Sequence, residues 1–283
     1  MKDIIIETKD LTYIYPNNNN VALDKISVRI KENEKIVVLG SNGAGKSTFF
    51  LNLNGVLKQQ SGTIKYRGQE INHSREQLFK LRKNIGIVFQ EPDSQIIAST
   101  VLGEVSFGPM NLKLPKSEVI KRVDEALEYM NISEFKNRAP HYLSGGEKKK
   151  VSIADIIAMK PEIIILDEPT ASLDPFNTEA LDGVINKLSS QGTTMIISTH
   201  DVNFAYRFAE RILVFSKGKI IADDTPINIF NNEELLKEAN LKTPLLYDAY
   251  RILLDNNLVK DNMYPRDIVE FKKIVSESSD RNG

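Results

Sequence analysis

The chain has 283 residues, 41% of them hydrophobic, with 37 basic and 38 acidic side chains and a formal net charge of −1. That apolar content supports a sizeable core, in one large domain or a domain plus an appendage, and excludes a globally disordered chain. The balanced charge leaves no electrostatic footprint for nucleic acid or anionic lipid. The lack of cysteine excludes disulfides, thiolate metal sites, iron–sulfur clusters and a thiol nucleophile.

In chain order, residues 4–9 and 26–31 read as strands, with PNNNN (16–20) as a turn between them. The opening MKDIIIETKD has too short an apolar run for a signal peptide, a cytosolic setting fits, and the longest apolar runs, such as IIIL and IVVL, are too short to span a bilayer. KIVVLG (35–40) is a buried strand and 46–57 a helix. Between them, Gly40, Gly43 and Gly45 let the backbone curl until several N–H groups converge on one anion at a helix N-terminus. Lys46 brings a charge to the outer phosphates of a nucleotide, and Ser47 offers a hydroxyl where a bridging magnesium needs an oxygen. The spacing is that of a P-loop, G-x-x-x-x-G-K-[ST].

Further along, SGTIKYRGQEI (61–71) reads as a hairpin and NIGIVFQ (84–90) as a buried strand. A helix follows over 117–130, with Val119, Ile120, Val123, Ala126, Leu127 and Met130 on one face. YLSGGEKKKVSIADIIAM (142–159) opens with Ser144-Gly145-Gly146-Glu147. As S-x-x-E this is a capping box that could simply start a helix. Two glycines in a first helical turn weaken a helix, however, and make sense where a second phosphate approaches closely. Lys148–Lys150 reads as a solvated face.

EIIILDE (162–168) is an apolar strand that delivers Asp167 and Glu168 at its carboxyl end, where open α/β sheets bind ligands. Asp167 suits magnesium, and Glu168 suits the orientation and deprotonation of a water aimed at a γ-phosphate; alone, the pair also fits a strand ending in solvated acids. A helix over 175–189, a strand over 193–199, a short helix from 201 and strands within 211–223 complete an alternation that implies a parallel sheet covered on both faces. Residues 91–160 interrupt it as a mainly helical subdomain. Residues after about 226 are a polar helical appendage, in which Leu246, Ala249, Tyr250 and Leu253 share a face.

Taken together, the P-loop (40–47), LSGGE (143–147), ILDEPT (165–170), ASLD (171–174) and STH (198–200) resemble, in order, the motifs of the ATP-binding subunit of an ABC transporter. The resemblance spans about residues 4–225. It implies an α/β fold: a P-loop NTPase core with a mainly parallel sheet, an antiparallel β subdomain, a helical signature subdomain and the appendage, so residues 1–225 form the ATPase domain and 226–283 a possible dimerisation region. It implies ATP and Mg2+ as ligands, with Gly40, Ser41, Asn42, Gly43, Ala44, Gly45, Lys46, Ser47 and Thr48 around the phosphates and Tyr15 on the adenine. Ser47, Gln90 and Asp167 would meet the metal, Glu168 would be the catalytic base and His200 would contact the γ-phosphate. Ser144, Gly145 and Gly146 would close the ATP of a second subunit, to which Asp174 would bridge. Two positions depart from the family pattern. Glu147 stands where Gln is usual and is expected to point away or cap the helix; Lys150 stands where Arg is frequent and lacks its bidentate fork.

FQEPDSQIIASTVLGEVSFGPMNLKLP (89–115) resembles the same stretch in cobalt and energy-coupling-factor importers. That likeness implies a homodimer or heterodimer with a second ABC ATPase, a transmembrane coupling protein docking near 89–115, and a substrate-binding membrane component. The chain would sit peripherally on the cytoplasmic face of the membrane and energise uptake of a metal ion such as cobalt or nickel, or of a vitamin. Nucleic acid is not an expected partner. A soluble ABC ATPase of DNA repair or translation and the motor of an exporter are the alternatives.

Overall fold

The computed structural model describes residues 2–16, 20–171, 173–259 and 263–279. Its strands are β1 (Ile4–Tyr15), β2 (Asn20–Lys31), β3 (Lys35–Leu39), β4 (Ser61–Tyr66), β5 (Gln69–Glu70), β6 (Ile85–Val88), β7 (Ile163–Asp167), β8 (Thr194–Ser198), β9 (Arg211–Ser216) and β10 (Lys219–Asp224). Its α-helices are α1 (Lys46–Leu53), α2 (Arg75–Asn84), α3 (Val101–Asn111), α4 (Lys116–Tyr129), α5 (Gly145–Met159), α6 (Pro175–Ser190), α7 (Val202–Phe208), α8 (Pro226–Phe230), α9 (Glu233–Ala239), α10 (Leu245–Asp255) and α11 (Ile268–Ser279). Two compact units emerge, one of Met1–Glu34 and Ser47–Ser198, the other of Lys35–Lys46 and Thr199–Gly283.

The first unit holds an antiparallel sheet in the order β2-β1-β4-β5 and a parallel run β8-β7-β6. β2 buries Leu23, Ile26, Val28 and Ile30 on one face, the alternation of a half-covered sheet. The β1–β2 register slips between Thr8 and Leu11, next to Asp10 with φ +50°, and the two strands continue past the predicted ends to Tyr15 and back to Asn20. Residues 17–19 of the predicted turn lie outside the described residues. Every residue of β6, β7 and β8 is buried, as an apolar run covered on both faces requires. Helix α1 stops at Leu53, short of the predicted 57, because the chain reverses at Gly55 with φ +68° and Asn54 Nδ2 bonds Ile85 O at 2.6 Å. Helix α2 carries no apolar stripe to reveal it; it buries only Leu81 and is capped by Ser74. In α4 the predicted face is buried except Ile120, which falls at the edge of the stripe and is half exposed.

In the second unit β3 runs parallel to β9, with Ile36 opposite Arg211 and Leu39 opposite Val214, and β10 runs antiparallel to β9. Tyr206 of α7 meets the rings of Phe230 and Tyr247 edge-on at 6.1 and 5.8 Å, and Tyr247 stacks on Tyr264 at 5.4 Å. Arg266 donates to the carbonyls of Tyr206 (2.6 Å) and Ala209 (2.5 Å). Of the predicted α10 face, Tyr250 is buried, as is Tyr247 beside it, while Leu246, Ala249 and Leu253 are half-buried. Leu246 and Ala249 line a groove with Leu245, Ile268 and Phe271. Among the described residues no helix is long and apolar enough to cross a membrane.

Candidate active site

In the second unit β3 feeds a turn whose glycines serve different ends. A Cβ on Gly40 would lie 2.3 Å from Phe215 O, so the backbone there must be bare to approach β9. A Cβ on Gly43 would meet nothing within 4 Å, yet its φ of +78° calls for glycine. Ala44 N closes the turn onto Ser41 O at 3.1 Å, and Ala44 O accepts from Gly218 N at 3.0 Å. Lys46, almost fully buried, curls back to donate to Gly40 O (2.6 Å) and Ser41 O (3.3 Å), which holds its ammonium within the loop. His200 Nε2 lies 2.9 Å from Asn42 Oδ1, so the structure brings the expected histidine to the P-loop, and Asp201 caps α7 directly behind it. Ser47, the next residue, begins the portion of α1 that belongs to the first unit.

In that unit the two acids stand at the end of β7. Asp167 and Glu168 are both buried, and Ser198, at the end of β8, joins them. Its hydroxyl donates to Asp167 Oδ1 at 2.5 Å and accepts from Glu168 N at 2.9 Å; Glu168 N also reaches Ser198 O at 3.2 Å. Glu168 has φ +46°, a conformation a non-glycine residue adopts only where its surroundings enforce it. Ser198 drew no role from the sequence; its signal was its place in STH, directly after an apolar strand.

Ser144 and Glu147 form the full capping box. Glu147 Oε2 accepts from Ser144 N (2.7 Å) and Ser144 Oγ from Glu147 N (3.3 Å); the Ser144 backbone N–H first, and then the Ser144 side chain, hold the Glu147 carboxyl below the usual carboxylate range. A Cβ on Gly145 would meet nothing within 4 Å, so packing does not select that glycine. Asp174 caps α6, with Oδ1 accepting from Asn177 N at 2.9 Å and Oδ2 from Asn177 Nδ2 at 2.6 Å; both bonds lower its pKa. Tyr15 is partly exposed, its hydroxyl 3.1 Å from Thr48 Oγ1 and its ring edge-on to Tyr13.

The expectation of a solvated face over Lys148–Lys150 is corrected at Lys149. That side chain is 2% exposed and donates to the carbonyls of Phe89 (3.0 Å) and Gln90 (2.5 Å). Burial pushes its ammonium below the ordinary lysine range, against the opposing pull of the Glu91, Asp167 and Glu168 carboxylates. Helical spacing was the available signal: Lys149 lies four and seven residues before Ile153 and Ile156, both buried.

A family model described as ABC transporter matches residues 23–171. The energy-coupling factor transporter ATP-binding protein EcfA of Methanothermobacter thermautotrophicus is 48% identical over 244 residues, which are 86% of this chain and 78% of the relative. The solved structure of CbiO1 from Clostridium perfringens, described as part of the ABC transporter complex CbiONQ, is 38% identical with a TM-score of 0.74; the match covers 90% of this chain and all of that one. The dimeric cassette MJ0796, in a post-hydrolysis state bound to ADP and Pi, is 31% identical with a TM-score of 0.71, over 78% of this chain and 99% of its own. A P-loop, two strand-end acids and a glycine-opened signature helix thus occur on a shared fold at this level of identity, and the chain belongs to the ABC transporter family as an EcfA-like ATP-binding subunit, an ATPase.

Proposed function

We propose that this chain is the motor of an energy-coupling-factor importer, turning ATP hydrolysis into uptake of a micronutrient (a metal ion such as cobalt or nickel, or a vitamin) through a separate transmembrane partner. The observation that carries the hydrolytic part is the Asp167–Ser198–Glu168 constellation at the carboxyl ends of β7 and β8. In this reading the amides of residues 40–48 and the Lys46 ammonium hold the phosphates, and Tyr15 lies against the adenine. Ser47, Asp167 and Gln90 would supply an all-oxygen donor set with one carboxylate, which fits magnesium, a cation that keeps most of its waters. Bound there, magnesium would neutralise charge on the phosphates. Glu168 orients the attacking water and takes its proton, and His200, held by Asn42, meets the γ-phosphate.

A single chain supplies one P-loop and one signature, so we read the working form as two ATPase chains, identical or related, paired head to tail. Each offers Ser144, Gly145 and Gly146 to the other's nucleotide, with Asp174 at the bridge; the open space at Gly145 supports this. ATP then favours the closed pair and hydrolysis releases it. Residues 1–225 act as the ATPase domain, with 91–160 as its helical subdomain. The membrane protein docks near 89–115, where Ile97, Phe107 and Met110 are exposed, on the cytoplasmic face. The region 226–283 keeps the two ATPases together between turnovers.

Glu168→Gln tests the chemistry. It is expected to keep ATP binding, lower turnover by about 100-fold or more and trap an ATP-bound dimer; turnover close to wild type refutes the assignment. Purification of the intact membrane complex, with its bound small molecule identified, tests the importer reading.

A further inference from the structure

Within the first unit, three contacts fasten the start of α5 to the segment after β6. Lys149 donates to the carbonyls of Phe89 and Gln90. Gln95 accepts from Phe89 N at 3.2 Å through Oε1 and donates to Ser152 O at 3.0 Å through Nε2. Lys148, half-buried, pairs at 2.7 Å with Asp93, which is exposed. A pair open to solvent on the Asp93 side contributes little. The Lys149 contact differs in kind, because an ammonium removed from water is tolerated only when its donors are engaged. A hydrocarbon side chain of equal length would fill the same space without that desolvation, so packing alone does not account for a charge there. The carbonyls it holds belong to Gln90 and its neighbour, and its helix is the one that opens with Ser144, Gly145 and Gly146.

We propose that Lys149 is a positioning residue: it locks the signature helix to the backbone of Gln90, so that the two move as one body and contact at Ser144–Gly146 sets Gln90 for turnover. Lys149 itself touches no nucleotide in this scheme. The inference rests on the reading of the site given above. It separates the role of residue 149 from that of its neighbour: Lys148 pairs with the exposed Asp93, and Lys149 with the backbone at the end of β6.

Lys149→Met keeps the length of the side chain and removes its donors. In the full chain, the affinity for a fluorescent ATP analogue is expected to stay within twofold of wild type, because the P-loop is untouched, while kcat falls at least tenfold. Amide hydrogen exchange is expected to quicken over residues 89–95 and to stay unchanged in β7, which a general loss of stability would not produce. A kcat within twofold of wild type overturns the proposal, and so does an affinity that falls in step with kcat. Should Lys149→Met not fold, Lys149→Gln, which loses charge and reach, is expected to lower kcat at least threefold at unchanged affinity, and a wild-type kcat there overturns the proposal equally. Wild-type turnover is measured first. Its absence refutes the hydrolytic reading itself, whereas normal turnover that Lys149→Met leaves intact refutes only the role of Lys149.

Discussion

Ser198 is the residue through which β8 reaches the two acids, and its hydroxyl is fully buried between them. Ser198→Ala removes a donor to Asp167 and an acceptor from Glu168 N while changing volume little. We expect about 1–2 kcal/mol less unfolding free energy and roughly tenfold lower turnover at nearly unchanged ATP affinity, since one catalytic hydrogen bond is typically worth a factor of that order or more. Denaturant unfolding and steady-state kinetics check both. Lys46→Ala acts on a different quantity. In the proposed site it removes the charge that meets the outer phosphates and should weaken ATP binding sharply; a titration matching wild type would contradict the P-loop assignment. The two glycines are also distinguishable. Gly43→Ala meets only the strain of a positive φ, about 1–2 kcal/mol, whereas Gly40→Ala must push its Cβ away from Phe215 O and should disrupt the loop more severely.

Helix α5 joins several of these effects. Its capping box was readable from four residues, because a cap is local. Its interior was not. Asp155 lies on it beside Gln95, at 3.5 Å, and its Oδ1 has no hydrogen-bond partner among the described residues. Glu104, nearby, accepts the N–H groups of Ile97 and Ala98 at 2.9 and 2.7 Å. Burial first, and then the Glu104 charge, push Asp155 up to about 7 from an ordinary 3.8. The folded state therefore holds a proton that the unfolded state has released between those values. This contribution to stability is complete below the ordinary Asp range and is lost as pH rises through about 7. Asp155→Asn removes the dependence. The variant should exceed wild type in stability at pH 8 by about 1–3 kcal/mol, given about 1.4 kcal/mol per pKa unit, and the gap should shrink at pH 5. Denaturant midpoints at both pH values decide, and a gap independent of pH counts against a protonated Asp155.

At the scale of the whole molecule, helices α10 and α11 combine buried rings with an exposed apolar groove. Tyr247 and Tyr250 bury themselves against the rings of the second unit, while Leu245 and Ile268 stay exposed along the groove lined by α10 and α11. Cutting the chain after Asp224 would uncover Tyr206 and remove Arg266, so truncation confounds stability with assembly. Leu245→Glu combined with Ile268→Glu leaves the buried rings alone. In the proposed clamp these charges should shift the nucleotide-free monomer–dimer balance towards monomer while ATP binding is kept. Sedimentation of both proteins at matched concentration measures this, and identical profiles would rule out the groove as the clamp.

The sequence by itself determined what is written in contiguous residues. The glycine-rich turn after β3, the acids ending β7, the caps of α5 and α6 and the all-apolar strands each depend on neighbours a few positions apart, so spacing and periodicity expose them. The tertiary structure decided what depends on distance along the chain. Ser198 meets Asp167 from 31 residues away and Lys149 meets Gln90 from 59 away. Helical spacing to Ile153 and Ile156 sets Lys149 apart from the two lysines beside it, but charge placed all three in water. Only the packing of α5 against the end of β6 decides which ammonium is enclosed. Likewise, the period of α10 marked an apolar face, but only the position of Tyr206, Phe230 and Tyr264 decided which of its residues that face would bury. Burial is a property of what arrives from elsewhere in the fold, and the sequence specifies it only through the whole chain.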